Sequence, residues 1–362
     1  MTKWFIPLAL TAFACSPDEP EPVEPTVEDE TVSPFSITAR IPGTDVATVT
    51  EALATYIDEV DDTERGLPAD WIVAGASDLD EGEHAAEAAL GLPDGSKIVE
   101  VCNHEYASQA MSFGGHHGVA LPCEIAITQQ GDSVEVVLLN PEAIFGVFFG
   151  DIPPEAAAGM GGLAATVRTE LEDLVIDAVS EFDGGDFPLE NVGPAWTPAE
   201  MQDLASQDYA IDMDIPIPAE HLADKAAFKA LFIDELLTTI THEDMDQVGS
   251  EVEGLSVGDW RSARTGALSL PGDVSVVEMC SPTYATAALS TGKHHAPALP
   301  CQTAIFVEGD VLHVDVLDPM FIFPAFFSDA PEEMMADMGD MAYAVQSDVQ
   351  LIVEEATRRT LE

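Results

Sequence analysis

The feature that most constrains this chain is a long internal repeat that needs no gaps. Cys102 to Cys123 reads CNHEYASQAMSFGGHHGVALPC, and Cys280 to Cys301 reads CSPTYATAALSTGKHHAPALPC. The offset is 178 at both ends, 280 − 102 and 301 − 123. His116 and His117 therefore fall on His294 and His295, and Tyr106 falls on Tyr284. The same offset carries Gly131-Asp132 onto Gly309-Asp310, Asn140-Pro141 onto Asp318-Pro319, and Phe148-Phe149 onto Phe326-Phe327. At 362 residues the chain exceeds one ordinary core and suits two domains plus a tail. The repeat thus predicts a first domain over 35–182 and a second over 208–362. Between them, 183–207 carries Gly184, Gly185, Pro188, Pro194 and Pro198 and reads as a linker.

Each copy has a legible order of elements. In the first, FSITAR (35–40) alternates like a strand, and Val46, Val49, Leu53, Ala54 and Ile57 recur at helical spacing between 44 and 60. A strand is expected near Trp71, an acidic helix over 81–90, and a strand KIVEVC over 97–102, with Cys102 where it ends. A helix over 104–112 is ended by Gly114-Gly115, which puts His116 and His117 in the turn leading to Cys123. Two alternating strands joined at Gly131-Asp132 read as a hairpin. A short apolar helix from Asn140-Pro141 and a long amphipathic helix over 153–180 close the unit. The second copy repeats the pattern, with a strand over 209–215, a helix over 219–241 and a closing helix. Met338 and Met341 lie on the apolar face of that helix and so read as core packing rather than as metal ligands. The fold class is α+β: two tandem antiparallel sheets, each packed by helices.

Charge narrows the partners. With 67 Asp and Glu against 12 Lys and Arg, the formal charge is −55. A field of that sign repels nucleic-acid backbones, and 12 scattered cations build no basic face, so nucleic acid is not an expected partner. The 46% hydrophobic content is still enough for sizeable cores.

The N-terminus points to the compartment. Residues 1–14 combine one Lys with the apolar run WFIPLALTAFA, too short to span a bilayer but suited to a secretory signal. Cys15 follows, with Ala12 and Ala14 at the third and first positions before it. The segment resembles a bacterial lipoprotein signal, although the usual Leu three residues before the Cys is here Ala12. That resemblance implies lipidation at Cys15 and a membrane anchor in the cell envelope, at the outer membrane or the periplasmic face. Residues 15–34 are acidic and Pro-rich, and their charges repel, so they are expected to form a disordered tether.

The run VEVCNHEYASQAM, then ALPCEIAI, a Gly-Asp turn, VEVVLLNP and a long amphipathic helix resembles the bacterial domain of unknown function 302 family. The likeness extends over roughly 40–180 and 212–358. It implies a TATA-binding-protein-like α+β sandwich and no established activity. The second copy departs from the pattern, with Ser281 in place of the Asn after Cys and Asp318 in place of Asn140.

Three readings of the repeated Cys/His-His/Cys skeleton compete. The first is a disulfide in each domain, Cys102 to Cys123 and Cys280 to Cys301. It would go with a non-enzymatic module that binds a small ligand or an envelope protein partner, its two repeats packed as an intramolecular pseudo-dimer. The second is a transition-metal or haem site formed by Cys102, His116, His117 and Cys123, with Cys280, His294, His295 and Cys301 in the other copy. Thiolate and imidazole together suit zinc, copper or iron. The third is a thiol-based redox enzyme, in which an imidazole activates a thiolate. No C-x-x-C, G-x-S-x-G or phosphate-loop motif is present to name a reaction.

Overall fold

Burial follows the predicted periodicities closely in this computed structural model, which describes residues 31–59, 71–74, 90–91, 95–121, 123–240, 254–255, 260–262, 266–299 and 301–362. The first copy comprises β1 (Phe35–Pro42), α1 (Val46–Glu59), β2 (Trp71–Val73), β3 (Leu90–Gly91), β4 (Lys97–Asn103) and α2 (His104–Met111). A 3-10 helix (Gly115–Ala120) follows, then β5 (Cys123–Gln130), β6 (Ser133–Leu139), α3 (Pro141–Phe148) and α4 (Pro154–Val179). After β7 (Glu190–Val192) and α5 (Pro198–Leu204), the second copy begins with β8 (Ala210–Pro216) and α6 (Lys225–Thr239). It continues through β9 (Arg261–Ser262), β10 (Leu268–Leu270), β11 (Val274–Cys280), α7 (Pro282–Leu289) and a second 3-10 helix (Lys293–Ala298). The last elements are β12 (Cys301–Glu308), β13 (Val311–Leu317), α8 (Pro319–Phe326), a 3-10 turn (Glu332–Met334) and α9 (Met335–Thr360).

The strands form two sheets, ordered β2-β4-β5-β6-β1-β7 with β3 beside β4, and β10-β11-β12-β13-β8 with β9 beside β11. All pairings among the described strands are antiparallel. The fold is α+β, two antiparallel sheets packed by helices. Gly131 and Gly309 both take φ of 59°, the left-handed turn that closes each β5–β6 and β12–β13 hairpin. The side chains of Asn140 and Asp318 cap α3 and α8 by accepting from the backbone of Glu142 and Met320, and a proline opens each helix. The long helices bury Met160, Leu163, Val167, Leu171 and Leu174 in one copy and Met338, Met341, Val345, Val349 and Ile352 in the other. Met338 and Met341 are core residues, as their position predicts.

Where the structure departs from the sequence pattern, local chemistry explains it. Helix α6 starts at Lys225 rather than near 219 because Asp224 accepts from the Ala227 amide and sets the first turn there. The expected linker is not bare coil. Its β7 extends the first sheet by pairing with β1, and α5 opens with a capping box at Thr197 and Glu200. The predicted helix over 81–90 lies outside the described residues except for Leu90, which is in β3. The signal and nearly all of the tether also lie outside them. At the end of the tether, Val32 exchanges two backbone hydrogen bonds with Trp196, of 2.9 and 2.8 Å.

Each copy buries one carboxylate that ties its closing helix to its sheet. Glu170 on α4 accepts from Tyr106 Oη at 2.6 Å and from Trp71 Nε1 at 2.9 Å. Asp348, 178 residues later on α9, accepts from Tyr284 Oη at 3.1 Å and from Trp260 Nε1 at 3.0 Å.

The two sheets meet reciprocally. The first 3-10 helix lies on β11, β12 and β13, and the second lies on β1, β5 and β6. Between the sheets, Gln302 Nε2 donates to Glu124 Oε1 at 2.7 Å, and these two residues are themselves repeat equivalents, 302 − 124 = 178. Both are buried. Burial, and then nearby Glu278, pushes the Glu124 carboxyl well above its ordinary value.

Candidate functional site

The paired histidines lie on the 3-10 helices that cross to the opposite sheet. Glycine precedes each pair for a steric reason. A Cβ at Gly114 would lie 2.5 Å from His116 Cε1, and one at Gly292 would lie 2.5 Å from His294 Cε1. With that space open, the two rings of each pair sit with centroids 4.0 Å apart. The α3 helix ends at Phe148, and Asp151 follows within three residues. Asp329 holds the equivalent place after α8, since 329 − 151 = 178. Each histidine pair converges on that aspartate. The groups His116, His117, Asp151 and His294, His295, Asp329 each place one ligand atom per residue within 4.8 Å of the others.

The two triads differ in where their protons must be. In the first, His117 is fully buried and stacks on Phe149 with centroids 4.2 Å apart. Its Nδ1 lies 3.1 Å from the Phe148 carbonyl oxygen. A carbonyl only accepts, so Nδ1 carries the proton and donates. Burial, and then His116, pushes His117 down to about 4, so the ring is neutral at pH 7. Nε2 therefore presents a lone pair, and it is buried with no hydrogen-bond partner. It faces Asp151 Oδ1 at 3.6 Å, while His116 Nε2 lies 2.9 Å from Asp151 Oδ2. Two acceptors thus face each other, an arrangement that a cation relieves.

The second triad closes on itself. His295 Nε2 is 2.9 Å from Asp329 Oδ1, and His294 Nε2 is 2.9 Å from Asp329 Oδ2. His295 Nδ1 meets a hydroxyl, Thr291 Oγ1, at 2.8 Å. A hydroxyl donates as readily as it accepts, so Nε2 is free to carry the proton to Asp329. Although burial works the other way, hydrogen bonds from His294 and His295 hold Asp329 well below the usual carboxylate range. Phe35 covers this triad edge-on, with its ring centroid 5.8 and 5.6 Å from those of His294 and His295. Thr291 stands where the first copy has Phe113, 291 − 113 = 178, so the sequence difference accounts for the difference in proton placement.

The first triad is also the open one. His116 and Asp151 line a cavity of about 820 Å³ whose other walls include Tyr209, Asp212, Phe306, His313 and Asp315. Tyr209 Oη lies 3.4 Å from His117 Nδ1, which joins the second copy to the first triad.

The four cysteines of the two repeats belong to neither triad. They are free thiols, so the expected Cys102–Cys123 and Cys280–Cys301 bridges are not formed. Across the ladder Cys123 pairs with Val101 and Cys301 with Met279, one residue short of Cys102 and Cys280, yet the two thiols of each pair line one small cavity as unbonded neighbours. Burial pushes Cys102 up to about 12, and burial and then the neighbouring thiol raise Cys123 and Cys301 as well. These are neutral thiols packed against the core, the reverse of the depressed thiol that nucleophilic or redox chemistry requires.

Asp151 and Asp329 were not singled out from the sequence, although the signal was present. Phe148-Phe149-Gly150-Asp151 and Phe326-Phe327-Ser328-Asp329 end identically at the repeat offset. What the sequence conceals is that the turn after the short apolar helix folds back onto the histidines.

Comparison with known proteins gives a family likeness and no activity. No curated protein matches the chain. Among solved structures, the crystal structure of an uncharacterized conserved protein DUF302 from Bacillus stearothermophilus is similar over 42% of this chain and 99% of that chain, at 16% identity and a TM-score of 0.27. Residues 67–178, which contain His116, His117 and Asp151, match the family model described as Domain of unknown function DUF302.

Proposed function

We propose that this chain is a bacterial cell-envelope binding protein that holds one divalent transition-metal ion through His116, His117 and Asp151. The observation that carries the reading is the buried, unpartnered Nε2 of neutral His117, aimed at a carboxylate that a second imidazole also reaches. The 3.6 Å between His117 Nε2 and Asp151 Oδ1 suits bonds of about 2.0–2.2 Å to a shared tetrahedral ion, and His116, 2.9 Å from Asp151 Oδ2, would exchange its hydrogen bond for the metal. Two imidazoles and a carboxylate without thiolate favour zinc or iron(II) over copper(I). Three protein ligands leave further positions open toward the cavity, the pattern of a site that handles an exchangeable ligand rather than a purely structural ion. The second triad, closed by Thr291 and covered by Phe35, acts as a hydrogen-bonded brace. We read residues 208–362 as a second copy of the same domain, on the strength of the 178-residue offset.

Metal analysis of protein dialysed against zinc tests the reading. One equivalent is expected to remain on the wild-type protein, to be lost in His117→Ala, and to persist in His295→Ala. Retention of the full equivalent by a folded His117→Ala protein would reject the site. The envelope location rests on the apolar segment before Cys15. Cys15→Ser is expected to release the protein from the membrane fraction, and an unchanged distribution would refute lipidation.

A further inference from the structure

The wall of the cavity opposite the first triad carries charges that the corresponding wall in the other copy lacks. Asp212 and Asp315 are cross-strand partners on β8 and β13. The equivalent pair on β1 and β6 is Ile37 and Val137, with 315 − 137 = 178. An apolar pair has thus become a pair of carboxylates only on the sheet that faces the open triad. Asp315 is 4% exposed, lines the cavity and has no hydrogen-bond or ion-pair partner among the described residues. A buried carboxylate with neither a hydrogen bond nor a counter-ion costs stability, so its presence calls for a partner from outside. Its neighbours supply no positive charge. Asp208, Asp214 and Glu308 also line the cavity, and among the described residues that line it there is no Lys or Arg. His313 is already placed against Asp214, with Nδ1 2.8 Å from Oδ1, and its ring is stacked on Phe306.

We propose that this cavity binds a small organic cation, an amine or guanidinium, with its charged head on Asp315 and Asp212 and its body along Phe306, Phe113 and Tyr209. Two features favour an organic cation over a second metal ion. Among the described residues only the two histidine triads gather three ligand atoms within 4.8 Å, so Asp212, Asp315 and His313 do not converge as a coordination sphere does. The aromatic walls suit the face of a cationic group or an alkyl stem. A cavity of about 820 Å³ falls in the range of small-molecule sites.

Isothermal titration of the full chain with cadaverine, and with glutarate as a dianion of equal carbon number, tests the proposal. Cadaverine is expected to bind with 1:1 stoichiometry at moderate ionic strength, and glutarate not at all. At pH 8, above the value of about 7 to which burial and then Asp212 and Asp214 raise the Asp315 carboxyl, Asp315→Asn should weaken cadaverine at least tenfold while leaving the protein folded. Asp212→Asn serves as the second variant and should weaken it similarly. Non-saturating binding, or equal affinity for both folded variants and wild type, would overturn the proposal by showing only general attraction to an acidic protein. The measurement also separates this inference from the metal site. His117→Ala should lose metal yet keep cadaverine, so failure of either reading leaves the other standing.

Discussion

Gln302→Glu is expected to destabilise the protein by about 3–5 kcal/mol, because it removes the donor to Glu124 and buries a further carboxylate between the sheets. The sign of its pH dependence follows from Glu124. A carboxyl whose folded pKa is raised contributes stability that is present below its unfolded value and lost as pH rises through the folded value. The Gln302→Glu penalty should therefore be smallest in acid and grow with pH. Glu124→Gln should do the opposite. It keeps an acceptor for the Gln302 amide and removes the titrating group, so it is expected to stabilise the fold at alkaline pH and to change little near pH 4. Denaturant melts of the two variants at pH 4 and pH 8 check both signs. A Gln302→Glu protein as stable as wild type at pH 8 would contradict the interface described here.

Glu170→Leu is the second large effect. The substitution puts an apolar side chain of similar size in place of the carboxylate and so takes the acceptor from both Tyr106 Oη and Trp71 Nε1 in a buried setting, at a cost of about 2–5 kcal/mol. Asp348→Leu should do the same to the second copy through Tyr284 and Trp260. Since the sheets interlock through the two 3-10 helices, either substitution is expected to lower a single cooperative transition rather than split it. Thermal melts followed by tryptophan fluorescence read the result directly. Two resolved transitions would show that the copies fold independently.

Most of the fold was legible in the sequence. Strand alternation at 97–102, the Gly-Asp hairpins and the 3.6-residue spacing of the closing helices correspond to observed elements within a residue or two. These signals are local and repeat twice, so each copy supports the other. The site was legible only in part. The histidine pair stood out because it recurs, but its partners were assigned by nearness in sequence, which favoured Cys102 and Cys123. The cysteines instead pack against the core in a small cavity of their own, and the carboxylate arrives from 34 residues downstream of His117 at the end of another helix. No periodicity encodes that meeting, because it depends on how the turn after α3 packs against the 3-10 helix. The distinction between the triads rests on single substitutions, Phe113 against Thr291 and Val137 against Asp315. Their meaning appears only once it is known which atom each side chain faces.

Cobalt(II) titration of the full-length protein, followed by visible and near-ultraviolet absorption, tests the metal site most directly. One equivalent is expected to bind with ligand-field bands and without thiolate-to-cobalt charge transfer, and the signal should vanish in His117→Ala and in Asp151→Asn. A charge-transfer band from Cys102 or Cys123, or a protein that takes up no cobalt, would contradict the assignment of the ion to His116, His117 and Asp151.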